Sequence, residues 1–208
     1  EAAEDEADLE YVSEQLPRAL DRALDGLGRV AAIVRAMKQF AHPDVAEKLP
    51  TDLNAAITTT LTIARNEYKH VADVVTELGT VPAVVCHPGE INQVLLNLIV
   101  NAAHAIEDAK TAGRPRGTIR VTSTHVGDEV IVRVADDGTG IPDAVREKIF
   151  EPFFTTKEIG RGTGQGLAIA RNVVERHGGR LSFETEVGRG TTFELRLPTT
   201  TEAARVAA

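Results

Sequence analysis

Two pairs of strand-like segments, each closed on a glycine turn, constrain this chain more than any other feature. Thr118–His125 and Glu129–Ala135 flank Gly127-Asp128, and Arg180–Thr185 and Thr191–Leu197 flank Gly188-Arg189-Gly190. β-Branched and apolar residues on both sides of a glycine turn predict hairpins. Hairpins with an apolar face need a cover, and the remaining segments supply it. Asp52 predicts the cap of a helix over Leu53–Tyr68. Pro88-Gly-Glu predicts the opening of a second helix, Glu90 to Asp108. Gly160–Gly166 predicts the opening of a third, ending near His177. Val71–Leu78 and Ala83–Val85 read as further strands. Gly113, Pro115 and Gly117 mark a loop. The expected class is α+β, with helices over one sheet face.

The N-terminal part differs. Leu9, Val12, Leu16, Leu20, Ala23, Leu27, Val30, Val34, Met37 and Ala41 step by three or four, which predicts a long helix with one apolar stripe. A stripe this long asks for a partner helix, or else packs on its own domain. His42-Pro43 ends it. The formal charge is −8, from 23 Lys+Arg and 31 Asp+Glu, which disfavours sequence-independent nucleic-acid binding. Cys86 is the single cysteine, so no intrachain disulfide forms and a reducing compartment is the simpler setting. No apolar run reaches the roughly 18 residues of a membrane helix. The acidic start, Glu1 to Glu10, is neither a signal nor a transit peptide.

Three stretches carry chemistry. In Gln93-Val-Leu-Leu-Asn97-Leu-Ile-Val-Asn101, the two asparagines share one helix face. Asparagine is a poor helix-interior residue, so two amid an apolar run need partners. Two readings fit: a hydrogen-bonded structural pair, or amide oxygens offered to Mg²⁺ that also holds phosphate oxygens. Asp136-Asp-Gly-Thr-Gly140 follows a strand directly. It is either a tight Asx turn or a carboxylate set to accept from an exocyclic amine. Gly160-Arg-Gly-Thr-Gly-Gln-Gly166-Leu opens a helix, where free amides and the helix dipole suit anionic oxygens. It is not a P-loop, since no Gly-Lys-Ser/Thr follows. The stretch before it, Phe150-Glu-Pro-Phe-Phe-Thr-Thr-Lys157, holds three of the six phenylalanines and reads as an apolar latch on a glycine-hinged segment. Lys157 either reaches a phosphate or is a solvated surface lysine.

In this order the boxes resemble those of the catalytic domain of sensor histidine kinases, the Bergerat-type ATP-binding fold of the GHKL superfamily. The resemblance spans about Lys48 to Pro198, with its distinctive boxes from Gln93 to Phe193. It implies an α/β sandwich, a mixed sheet covered by helices on one face, preceded by a long helix. It further implies ATP and Mg²⁺ as ligands. Asn101 would hold the metal with Asn97 beside it, and Asn97, Asn101 and Lys157 would be catalytic. Asp136 would accept from the adenine N6 amine. Gly138, Gly140 and Ile141 would shape the adenine pocket, with Ala105 among the binding residues. His104 would touch a phosphate, or else be a solvated helix histidine. Gly162, Thr163, Gly164, Gln165, Gly166 and Leu167 would line the phosphates. Phe153, Phe154 and Lys157 would belong to the ATP lid, and Thr191 would support Asp136.

The resemblance also divides the chain. Residues 1–44 look like the second helix of a dimerisation and phosphotransfer domain, 45–198 like the catalytic domain, and 199–208 like a frayed tail. It implies a homodimer through the N-terminal helix, a response-regulator receiver domain as partner, and a cytoplasmic setting. A phosphoacceptor histidine of this family is usually followed by Glu or Asp. The six histidines here precede Pro43, Val71, Pro88, Ala105, Val126 and Gly178, so the acceptor is expected outside this chain. Two alternatives remain. A water-activating ATPase of the superfamily would need Glu where Asn97 stands, since an amide cannot take a proton from water. A nucleotide-dependent interaction module would need no acceptor at all.

Overall fold

The computed structural model describes residues 15–16, 47–111, 116–157 and 162–199. The chain divides into two compact units: residues 1–45 with 155–163, and residues 46–154 with 164–208. The expected Leu9–Ala41 helix lies outside the described residues, Gln15 and Leu16 apart, as do most of the 113–117 loop and the tail after Thr199.

The second unit is built from β1 (Leu49–Thr51), α1 (Leu53–Ile63), α2 (Arg65–Tyr68), β2 (Ala72–Leu78), β3 (Val84–Cys86), α3 (Pro88–Thr111), β4 (Gly117–Val126), β5 (Glu129–Asp136), α4 (Gly166–Arg176), β6 (Arg180–Glu186) and β7 (Gly190–Pro198). Five strands form one sheet in the order β2-β4-β5-β7-β6. β2 runs parallel to β4 and the other pairs are antiparallel, so the sheet is mixed. The parallel pair requires a crossover, and α3 lies in that connection.

Alternation decides which face is covered. Ile119 and Val121 of β4, Val130, Val132 and Val134 of β5, and Phe193, Leu195 and Leu197 of β7 are buried. They share one core with Ile91, Val94, Leu95, Leu98, Ile99, Ala102 and Ile106 of α3 and with Ala170, Val173 and Val174 of α4. On the other face the strands carry ion pairs: Arg116–Asp73 at 2.7 Å, Arg133–Glu194 at 2.6 Å, Arg196–Glu194 at 2.6 Å, and Arg120 with Glu77. Most of these side chains are exposed, so each pair contributes at most about 1 kcal/mol. The core therefore holds the sheet, and the charges mainly keep its outer face wet.

Both hairpins fall where the glycine turns predict them. Asp52 caps α1, its Oδ1 accepting from the amides of Asn54 (2.9 Å) and Ala55 (3.1 Å). The expected continuous helix to Tyr68 breaks at Ala64, where ψ is −2°. Thr58, Thr60 and Thr62 turn their hydroxyls back onto carbonyls four residues earlier, which weakens the helix ahead of the break. β1, which pairs with β3, is unanticipated, because Pro50 at its centre masks so short a strand. A 3₁₀ turn at Asp143–Val145 is unanticipated as well.

Candidate active site

The helix α3 organises the site. Asn97, Asn101, His104 and Ala105 are half-buried and recur at one-turn intervals, while Leu98, Ile99, Ala102 and Ile106 go into the core. From Asn97 to Ala105 this side runs about 12 Å along the axis. Each end meets a glycine-bearing segment.

At the Ala105 end sits the loop after β5. Strand register sets Asp136 between Ile119 and Thr191. Its Oδ1 accepts from the amides of Gly138 (2.9 Å) and Thr191 (3.3 Å). Among the described residues no donor reaches Oδ2. Burial pushes the Asp136 carboxyl up to about 6, against the pull of those two amides. The loop lies close on α3. The Thr139 amide donates to the Ala105 carbonyl at 3.2 Å, and a Cβ on Gly138 would stand 2.6 Å from the Ala105 carbonyl carbon. Gly190, at φ +116°, leaves space for the Asp136 carbonyl, which an added Cβ would meet at 1.9 Å. The Asx turn and the acceptor role therefore coexist: one oxygen serves the turn and the other faces away from protein donors.

Thr191 meets Asp136 through its backbone amide rather than its side chain. Its hydroxyl instead lies 3.0 Å from that of Thr185. Thr185 Oγ1 also accepts from the Ile141 amide (2.9 Å), and the Thr185 carbonyl accepts from Arg146 (3.0 Å). Thr185 and Arg146 thus brace the Asp136 loop, and a lone threonine in a strand gives no signal of this. Gly140, at φ +70°, fits where a Cβ would lie 2.3 Å from the Glu186 carbonyl.

At the Asn97 end α4 begins. Asn97 Nδ2 donates to the Gly166 carbonyl at 3.0 Å, and Asn97 Oδ1 accepts from Gln93 Nε2 at 3.0 Å. The N-cap residue of α4, Gln165, makes no side-chain cap bond to the first amides of the helix, an arrangement that suits an anionic group. Gly164, at φ +65°, lies where a Cβ would come within 2.5 Å of the Phe153 carbonyl carbon. Phe153 itself is 70% exposed at φ +68°, whereas Phe150 and Phe154 pack against the core. The Phe cluster is therefore divided between anchor and surface. Lys157, Gly162 and Thr163 belong to the other unit. There the Lys157 amide donates to Thr155 Oγ1 at 3.1 Å. The remainder of the expected lid, 158–161, lies outside the described residues.

One histidine is plainly structural. His177 is buried, its Nδ1 2.7 Å from the Val173 carbonyl and its Nε2 accepting from the His87 amide at 3.0 Å. Both ring nitrogens are committed, so it is closed to phosphoryl transfer.

Residues 86–201 match the family described as histidine kinase-, DNA gyrase B-, and HSP90-like ATPase. The chain belongs to this family. Within it, the ATP-binding domain is of the histidine-kinase kind. The catalytic domain of the histidine kinase ThkA is 34% identical with a TM-score of 0.64, covering 76% of this chain and 99% of that one. The sensor histidine kinase ZraS of Escherichia coli K12 is 34% identical over 186 residues, 88% of this chain and 37% of ZraS. The chain thus spans little over a third of that relative's length. ThkA in complex with the response regulator protein TrrA is 30% identical with a TM-score of 0.66, covering 85% of this chain and 49% of that one. Among the described residues no helix is long and apolar enough to cross a membrane.

Proposed function

We propose that this chain is the catalytic part of a sensor histidine kinase: it binds Mg²⁺-ATP and passes the γ-phosphoryl group to a histidine outside these 208 residues, for relay to a response-regulator aspartate. The observation that carries the proposal is the placement of two unlike sites at opposite ends of one face of α3. At one end Asp136 keeps an oxygen free of described protein donors beside a loop packed on Ala105. At the other, the start of α4, without a side-chain cap bond from Gln165, lies against Asn97. The first end suits a base that donates a hydrogen bond, and the second suits phosphates.

In this proposal Asp136 accepts from the adenine amine. Gly138, Gly140 and Ile141 floor the base, with Ala105 beside them. Amides from Gly162 to Leu167 receive phosphate oxygens, aided by Lys157 and His104. Phe153 and Phe154 flank the lid. The residues fit a metal too. Asn101 offers a hard, neutral amide oxygen, and no cluster of three or more His, Cys, Asp or Glu able to hold an ion exists among the described residues. An ion held by Asn101 would need further oxygens from phosphate and water, a donor set that suits Mg²⁺. When bound, it supplies charge neutralisation on the phosphates. The protein's own part is positioning: transfer breaks the bond from the γ-phosphorus to the bridging oxygen and forms one to the acceptor nitrogen, with ADP leaving. The proton of the acceptor imidazole goes to a base that accompanies that histidine. Asn97 donates to Gly166 and is no base for water, which argues against hydrolysis as the main reaction.

We further propose residues 1–44 as a dimerisation helix, 45–198 as the catalytic domain, a receiver domain as downstream partner, and the cytoplasm as the site of action. The Leu9–Ala41 stripe, the fold match, the likeness to ThkA in complex with a response regulator, and the lone Cys86 support these in turn. The test is calorimetry with ADP and ATP. Mg²⁺-dependent ATP binding that weakens in Asp136→Asn and Asn101→Ala is expected. Unchanged affinity in both variants would remove the assignment.

A further inference from the structure

The helix α4 is tied to α3 at both ends. At its C-terminus, His177 accepts from the His87 amide and Arg176 pairs with Glu90 at 2.9 Å. At its N-terminus the tie is a two-step relay, Gln93 Nε2 to Asn97 Oδ1 and Asn97 Nδ2 to the Gly166 carbonyl, each 3.0 Å. An asparagine amide has one donor end and one acceptor end, and either can point at Gly166. Only the donor end can bond a carbonyl. The Gly166 carbonyl, which can only accept, selects the NH₂ end, and Gln93, one turn earlier, secures that choice by donating to the oxygen.

We propose that Gln93 is a positioning residue for phosphoryl transfer: by fixing the amide orientation of Asn97, it holds the first carbonyl of α4 and so the amides set to receive the phosphates. The inference rests on the kinase reading for its purpose, though not for its geometry. It also adds a reason for Asn rather than Glu at position 97. A carboxylate has no hydrogen to give the Gly166 carbonyl, so the arrangement that activates water in an ATPase would cast off this end of α4.

The relay predicts an unusual order of severity. Gln93→Glu keeps shape and volume but sets oxygen against oxygen, which turns the Asn97 amide round and points its oxygen at the Gly166 carbonyl. Gln93→Leu changes chemistry more yet leaves the Asn97 donor where it is. A role in packing alone would rank the two the other way. The experiment is amide hydrogen exchange of the whole chain without nucleotide, followed at residues 169–172, the first amides of α4 with partners inside the helix. Gln93→Glu should speed exchange there roughly tenfold, as expected for a lost hydrogen bond that leaves a partner unsatisfied, and Gln93→Leu much less. Residues 173–177, held by the other tether, should not change, which separates local release from unfolding. In an Asn97→Ala background Gln93→Glu should add nothing, because the relay is already cut. Equal effects from the two variants, a larger one from Gln93→Leu, or a full effect of Gln93→Glu without Asn97 would overturn the proposal. Phosphorylation of a supplied acceptor at saturating ATP should then fall in Gln93→Glu at unchanged melting temperature. The expected exchange pattern with unimpaired phosphorylation would overturn the positioning role and leave only a structural tether. No phosphorylation by the parent chain would count against the kinase reading itself.

Discussion

The two glycine-bearing segments of the site look alike in sequence and differ in what the fold demands of them. Around Asp136, glycine is compulsory: Cβ atoms on Gly138, Gly140 and Gly190 would press into backbone at 1.9–2.6 Å. At the start of α4, a Cβ on Gly166 would meet only Asn97, at 3.5–3.7 Å, an ordinary contact. In its own unit Gly162 would meet nothing closer than 3.4 Å. A glycine at 166 that packing does not require fits the proposed close approach of a phosphate to the backbone. The first segment is built by protein contacts throughout; in the second, Gly164 is held to glycine in the same way, at φ +65° and with an added Cβ 2.5 Å from Phe153, while Gly166 is not.

Mutations can break this contrast. The largest effect is expected from Gly190→Ala, which combines a backbone clash with φ +116°: a loss of about 3 kcal/mol or more in urea denaturation. Gly138→Ala should cost about 1–3 kcal/mol by forcing the loop off Ala105. Gly166→Ala should leave folding stability within about 0.5 kcal/mol, yet weaken ATP roughly tenfold in calorimetry. A Gly166→Ala chain that unfolds as readily as Gly190→Ala would erase the distinction.

Asp136 and His177 respond to acid with opposite signs. The Asp136 carboxyl stands at about 6, above its ordinary 3.8. Its contribution to stability is present below 3.8 and lost as pH rises through about 6. Asp136→Asn should therefore melt no lower than the parent at pH 7 while binding ATP more weakly. The parent's advantage in ATP affinity over that variant should shrink as pH falls through about 6. His177 is shifted the other way, below its ordinary 6.5, chiefly by burial. Its contribution is full above 6.5 and fades as pH falls through its folded value, when the protonated Nε2 can no longer accept from His87. Urea midpoints at pH 7.5 and 5.5 should show a fall in the parent that is smaller in His177→Gln. This is the smallest effect of the set.

Much of this was legible in the sequence because local chemistry and fold agree. The hairpins about Gly127 and Gly188, the Asp52 cap and the apolar faces of α3 and α4 are each dictated by neighbours in the chain. The Asp136 turn was legible for the same reason. Thr185, Arg146 and Gln93 were not, since their roles arise from contacts 39–69 residues apart or depend on such a contact through Asn97. Nor could spacing choose between the two readings of the Asn pair. The fold shows Asn97 bonded at both ends of its amide, which makes it a tether in the protein without nucleotide. The break at Ala64 is not legible in the pattern, because a threonine run is helical by spacing and weak by hydroxyl chemistry.

The most direct test of the central claim is phosphate transfer from γ-labelled ATP. The chain is incubated alone and with a kinase that carries the acceptor helix but cannot bind nucleotide. Acid-labile label is expected on the acceptor histidine, with none on the chain alone and loss of transfer in Asn101→Ala. Label on the chain by itself, or free phosphate released with no phosphohistidine formed, would contradict it.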